Sequence, residues 1–219
     1  ADVGPARAAA TPAAAEPAES RRPASVIAGV AVDDHAPAQP SAAPLIARAT
    51  TRLMSEDFES TWPRGLWQAA DFGATGAEHY WDEDDFKPHA GSFSAWPANG
   101  GGAALDPSQP YPNDMDSWMW YGPVDLSAYH HPYLGFWYWN QSERDADFFF
   151  WGASGDGNSY DGTQVSGDSR GWVHEFFDLS GWAGDSSVWI GFLFESNAAV
   201  GGAGAFVDDV VLWSEMPLP

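Results

Sequence analysis

The residues able to do chemistry in this chain are six histidines, a large excess of carboxylates and 13 tryptophans. The histidines are His35, His79, His89, His130, His131 and His174. None forms an HExxH or a His-x-His pair, spacings that bring two imidazoles to one metal. His130 and His131 are adjacent, and neighbours in extended chain point to opposite faces, so this pair reads as surface loop. Gly152-Ala153-Ser154-Gly155 lacks the closing spacing of a nucleophile elbow. No glycine cluster is followed by the Lys-Ser/Thr of a phosphate loop. The chain has no cysteine, and therefore neither thiolate chemistry nor disulfides. Acid pairs are abundant, so counting alone leaves a glycosidase-type pair open. The run Asp82-Glu83-Asp84-Asp85 reads as a solvated loop or a weak cation site. Asp156-Gly157-Asn158 through Asp161 loosely resembles a Ca²⁺ loop, but it lacks the distal Glu of an EF-hand and reads as a hairpin turn. With no catalytic constellation assembled, the expectation is a protein that is not an enzyme.

The indoles suggest binding instead. Sugar rings stack on aromatic faces, so the tryptophans could supply a glycan platform, although core packing accounts for most of them. Trp118 and Trp120 share one face of a strand, as do Trp137 and Trp139. Whichever of those faces is exposed would mark a partner surface. Asn140-Gln141-Ser142 is a glycosylation sequon, meaningful where the host modifies such sites.

The elements that must position these groups follow from a split near residue 53. Residues 1–52 are an Ala/Pro-rich tail without Trp, Phe or Tyr. The tail's acids (Asp2, Glu16, Glu19, Asp33, Asp34) are matched by its arginines (Arg7, Arg21, Arg22, Arg48, Arg52), so the formal charge of −22 sits on residues 53–219. That charge argues against nucleic acid, which needs Lys and Arg to replace counterions on phosphate, and against anionic membrane surfaces. No apolar run approaches the roughly 18–20 residues of a membrane span. The tail is too poor in large apolar groups to offset chain entropy. The body is long enough to bury a sizeable core. A start at Ala1-Asp2 would suit a mature exported protein, secreted to the cell surface or beyond.

Within the tail, Val26, Ala28, Val30 and Val32 alternate with Ile27, Gly29 and Ala31, which predicts a strand over 25–32 before Pro37, Pro40 and Pro44 break it. Residues 45–54 could be a short helix or a second extended segment. Period-two alternation with aromatics predicts strands at 117–121, 134–139, 147–153, 171–177, 188–195 and 205–213. Weaker strands are expected at 57–59, 66–69, 78–81 and 92–96. Turn signals stand at Asn99-Gly100-Gly101-Gly102, Asp156-Gly157, Asp161-Gly162 and Gly201-Gly202. Strands at this spacing predict an all-β fold, a jelly-roll β-sandwich over 53–219 with an extended N-terminal tail over 1–52. Val124-Asp125-Leu126-Ser127 and Phe177-Asp178-Leu179-Ser180 echo one another, and read as a connection used twice.

Several short motifs occur in a familiar order: Phe58-Glu59, Pro63-Arg64-Gly65-Leu66-Trp67, residues 91–96 (GSFSAW), residues 123–127 (PVDLS), Ser154-Gly155-Asp156-Gly157, Trp172, Asp178-Leu179-Ser180 and Val207-Asp208-Asp209-Val210. Together they resemble the MAM-like and immune-inhibitor-A-type jelly-roll modules of bacterial secreted proteins, over nearly all of residues 57–213. The resemblance implies a structural Ca²⁺ tying the first strand to the last, with Glu59 and Asp208 as its ligands. It also implies roles in adhesion, sugar binding or support of a peptidase. An extended tail with one apolar strand further suggests strand donation to copies of the same chain. Repeated head to tail, that contact builds a homopolymer. The leading expectation is therefore a subunit of an extracellular filament assembled by N-terminal strand donation. The alternative is a secreted carbohydrate- or cell-surface-binding adhesion module whose tail is a spacer.

Overall fold

The computed structural model describes residues 50–73, 76–199 and 201–215 in full and residues 25–32 as backbone. These form two six-stranded sheets packed face to face. The first sheet has the order β1-β9-β8-β11-β6-β3, with β1 Ser25–Val32, β9 Ser159–Val165, β8 Phe148–Ser154, β11 Val188–Glu195, β6 Asp116–Val124 and β3 Trp67–Asp71. The second has the order β10-β7-β12-β5-β4, with β10 Val173–Asp178, β7 His130–Gln141, β12 Gly204–Glu215, β5 Ser94–Gly100 and β4 Tyr80–Asp84. Its sixth strand, β2 Thr50–Glu56, pairs with the C-terminal half of β12. The chain is an all-β jelly-roll sandwich, as its alternation predicts. Apart from one 3-10 turn at Ser180–Trp182, the regular elements of the described residues are strands.

Alternation explains the core. On β7, Leu134, Phe136 and Tyr138 turn inward, and on β8 and β11 Phe149, Trp151 and Phe192 meet them. Phe136 stands edge-on to Phe192 at 5.0 Å and 87° and to Trp151 at 5.5 Å and 72°. Such edge-to-face contacts contribute about 0.5–1.5 kcal/mol beyond the area they bury. The two Asp-Leu-Ser echoes are structural. Asp125 Oδ1 accepts from Ser127 N and Asp178 Oδ1 from Ser180 N, while Leu126 and Leu179 are fully buried.

Some expectations change. The strand expected at 57–59 is a bend; β2 ends at Glu56, and Phe58 turns with φ +55° so that its ring is buried. Glu56 holds this corner, accepting from Arg64 Nε at 2.9 Å and from Phe58 N at 2.9 Å. The second extended reading of residues 45–54 holds in part, because Thr50 opens β2, on the tail's side of the boundary read from composition. Asp161-Gly162 is the middle of β9 and not a turn. Asp156-Gly157 does form the β8–β9 hairpin turn, where Asp156 Oδ1 accepts from Asn158 N and Ser159 N. The strand expected over 25–32 forms, but it lies parallel to β9 of its own chain, with Ser25 opposite Ser159 and Val32 opposite Val165. The side chains of Val26, Ala28, Val30 and Val32, and the other tail residues before Thr50, lie outside the described residues.

Candidate functional site

The outer face of the second sheet carries a row of rings. Because Phe136 and Tyr138 point inward, Trp137 and Trp139 point outward from β7 and are half-buried. On β10 the same alternation turns His174 and Phe176 outward, both exposed. Register aligns them: His174 lies opposite Trp137, and Phe176 opposite Gly135. The rings touch in sequence. His89, from the β4–β5 loop, stacks on Trp137 at 4.0 Å and 15°. His174 stacks on Trp137 at 4.5 Å and 6°, and Phe176 follows at 4.3 Å from His174. Phe176 stands edge-on to Trp213 of β12 at 5.9 Å and 70°. Trp172 meets the other edge of His89 at 5.4 Å.

Gly135 shapes one end of this row. A Cβ there would lie 2.7 Å from Trp213 Cη2 and 3.0 Å from its Cζ3. The half-buried Trp213 indole therefore lies over the glycine backbone, with Phe176 upright beside it. This is a floor and a wall of open aromatic surface. At the other end Lys87 Nζ sits 4.0 Å from the centroid of Trp139, a cation–π contact that shields that indole.

The loop carrying Lys87 and His89 is clamped by two carboxylates. Asp208 Oδ2 accepts from the backbone N–H of His89 at 2.9 Å and of Ala90 at 3.1 Å, and Asp208 Oδ1 accepts from Asp209 N. Glu59 Oε1 accepts from Ser92 N at 2.7 Å and Phe93 N at 2.9 Å. Gly91, at φ +64°, has no room for a Cβ, which would stand 2.2 Å from that oxygen. The two acids singled out in the sequence thus grip one loop from two sides. Burial pushes the Asp208 carboxyl up to about 6, against the amide bonds that favour its charged form. The register of β12 slips between Asp208 and Val211 around Asp209, whose φ is +49°. This bulge lets Asp209 also reach the loop, with Oδ2 2.8 Å from His89 Nδ1. Burial, then the neighbouring His89, lowers the His174 pKa, and Asp209 partly opposes this.

Carboxylate oxygens are the donor chemistry that Ca²⁺ takes, but Glu59 Oε1 and both oxygens of Asp208 already accept backbone N–H groups of this region. Among the described residues, the ligand atoms that come together within 4.8 Å are those of His89, Asp208 and Asp209; Glu59 is not in that group. His89 and Asp209 escaped the sequence reading because a bulge and a loop crossing bring them in. The signal for Trp213 was Gly135, a glycine inside an aromatic strand. Other candidates stand apart. His79 is buried, and His130 and His131 are exposed at the start of β7. His35 lies outside the described residues. Asp82 and Asp84 are raised by burial, Asp82 to about 7, and Asp84 borders an open pocket of about 540 Å³ with Phe86, Asn99 and Asp106. Asn140 of the sequon is 1% exposed, its Nδ2 donating to Gly167 O at 2.9 Å, so the folded chain hides it.

No family model matches the sequence, and neither does any curated protein. Solved structures do resemble it. The K3 cleaved adhesin domain of Lys-gingipain from Porphyromonas gingivalis W83 superposes with a TM-score of 0.53 at 16% identity, covering 75% of this chain and all of that one. The CBM22-1 xylan-binding domain of Paenibacillus barcinonensis Xyn10C gives a TM-score of 0.45 at 16% identity, covering 79% of this chain and 100% of that one. TmCBM61, solved in complex with β-1,4-galactotriose, gives 0.43 at 16% identity, covering 68% and 88%. At such identities the adhesin likeness concerns the fold. No helix among the described residues is long and apolar enough to cross a membrane.

Proposed function

We propose that this protein is a non-enzymatic, extracellular adhesion module that binds glycan on the outer face of its second sheet. The observation that carries this is the Trp213 indole lying over Gly135 with Phe176 upright beside it. A sugar ring has an apolar C–H face that stacks on such a floor and hydroxyls that need polar neighbours, here His174. Rings in contact across three strands suit a chain of sugars better than a single one. A net charge of −22 disfavours anionic polymers, so the ligand class is a neutral glycan.

Strand donation to other copies ranks second. β1 already pairs with β9 of its own chain and would have to leave that edge to build a filament.

The deciding experiment is retention on neutral polysaccharides in affinity electrophoresis. Truncating a well-packed aromatic anchor of a binding surface typically costs about 2 kcal/mol or more. Trp213→Ala should therefore weaken binding about tenfold or more, and Phe176→Ala should weaken it less. Undiminished retention of both variants would remove this face from consideration.

Ca²⁺ belongs to the same proposal. Bound through Glu59 and Asp208, it would supply an electrostatic tie between the His89–Phe93 loop and the sheet. An ion bound by the folded state alone stabilises it by about 2.7 kcal/mol at a hundredfold excess over Kd. Metal-free protein should melt higher with Ca²⁺ than with EDTA, and Glu59→Gln should shrink the difference. Equal melting temperatures in both buffers would dismiss the ion.

A further inference from the structure

β4 and β5 are hydrogen-bonded neighbours, with Asp84 opposite Ser94. A hairpin between such strands usually needs only about two to five residues, yet here the connection runs from Asp85 to Phe93. The extra chain crosses the outer face of the second sheet, over β12 and as far as β7. Phe86 stacks on Phe206 of β12 at 6.2 Å and 26°, Lys87 sits over Trp139 of β7, and His89 stacks on Trp137. Residues of one loop thus lie on three rings of the face in turn.

This crossing decides which rings a sugar can use. His89 and His174 lie nearly parallel to the Trp137 indole, at 4.0 and 4.5 Å. Two imidazoles that close to one indole would overlap if they shared a face, so they take opposite faces. Trp137 therefore offers a sugar only its edge. Lys87 takes a face of Trp139, and Phe206 beneath Phe86 is fully buried. The open stacking surface is the Trp213–Phe176 end, where Phe176 is 45% exposed. Along β7 in that direction Tyr133 lies beside Trp213, and the strand starts with exposed His130 and His131. In the other direction the row runs past His174 into the loop.

The loop is a fixed ridge. Asp208 holds its backbone at His89 and Ala90, Glu59 holds it at Ser92 and Phe93, and Asp209 holds the His89 ring. Bonds from N–H to carboxylate are charge-assisted and about twice as strong as neutral ones. The ridge also presents polar atoms. Lys87 carries the donors of an ammonium group, and His89, held to Asp209 through Nδ1, has Nε2 as its second polar atom. The last sugar of a chain has a free hydroxyl where an internal sugar has its next linkage. A wall that carries donors suits that hydroxyl and leaves no passage for a further sugar.

We propose, on the basis of the glycan reading of this face, that Lys87 and His89 are specificity-determining residues. They form a stop across the aromatic row, so the site takes the end of a neutral sugar chain and rejects internal segments.

Competition by neutral oligosaccharides of graded length tests this on the full chain, with gluco-, manno-, galacto- and xylo-oligosaccharides as probes. Per mole of chain, competition should rise over the first few sugars and then level off, because a longer chain still has only one end of the right polarity. In the double variant Lys87→Ala and His89→Ala the levelling should disappear, and long chains should compete severalfold better than short ones. Both substitutions leave the loop's backbone bonds to Asp208 and Glu59 in place. Competition by the parent that keeps rising with length would overturn the stop, because each added sugar then supplies another internal site; this outcome needs no variant to fold. A folded double variant that levels off like the parent would overturn the assignment to Lys87 and His89 while leaving the glycan reading intact. If no series competes and no neutral polysaccharide retains the parent, the glycan reading fails and the stop fails with it.

Discussion

On the outer face of the first sheet Phe150 is 1% exposed, while on that of the second Phe176 is 45% exposed. Both faces are built alike, from aromatic residues on alternating strands lying over glycines: Gly152, Gly162 and Gly191 on one, Gly135 on the other. The polar groups differ. On the second face His89, His174 and Lys87 stand among the rings. On the first the apolar layer is Trp, Phe, Tyr and Leu, with Asp116 Oδ1 accepting from Trp118 Nε1 at 2.8 Å. What separates the two faces is exposure: open rings can meet a ligand and covered rings cannot.

The most direct way to break this contrast is to truncate a ring of the covered face. Phe150→Ala should cost about 3–5 kcal/mol in chemical denaturation, the usual price of a buried Phe. A loss below 1 kcal/mol would mean that the face is solvated and the two sides equivalent. Gly162→Ala should cost about 1–3 kcal/mol, because its Cβ would stand 2.0 Å from Trp151 O, a backbone atom that cannot swing away.

A pH titration sharpens the contrast from inside the sandwich. Glu175 lies between the outward His174 and Phe176 and turns inward, and burial pushes its carboxyl up to about 7. A carboxyl raised on folding is favoured when protonated. Its contribution is full below the ordinary value near 4.5 and is lost as pH rises through about 7. Stability should therefore fall between pH 4.5 and 7, by on the order of 2 kcal/mol. Glu175→Gln should flatten that part of the profile. An unchanged profile in the variant would assign the slope to other carboxyls.

Much of this was legible in the sequence, for a physical reason. Period-two alternation of Trp, Phe and Val marks strands wherever one side is a core, and β6, β7, β8, β10, β11 and β12 were all visible that way. β9 was not, since Asp161-Gly162 looks like a turn; that glycine is there to leave room for the Phe150 ring. Glu59 and Asp208, singled out by resemblance as ion ligands, both accept from the backbone of one loop. Alternation cannot say what lies over an outer face, however. Trp118-Met119-Trp120 and Trp137-Tyr138-Trp139 have the same pattern, and only the fold separates a covered indole from an open one. The clamp partners His89 and Asp209 depend on a bulge and a loop crossing, neither of which has a periodic signature.

The smallest expected effect on stability, and the most specific one on binding, comes from Gly135→Ala. Its Cβ would lie 2.7 Å from Trp213 Cη2, the far end of a half-buried side chain that can tilt outward. At Gly162 the obstacle is a carbonyl; here it is a movable ring. Alanine also restricts the unfolded chain more than glycine, which offsets part of the clash. The stability change should therefore stay within about 1 kcal/mol, while the tilted indole no longer forms a flat floor beside Phe176. Glycan retention should drop severalfold in a protein that melts almost as the parent does. If Gly135→Ala instead destabilises as much as Gly162→Ala, Trp213 is held as rigidly as the covered rings and the second face is not an adaptable platform. If it leaves both stability and retention unchanged, the sugar does not stack on Trp213.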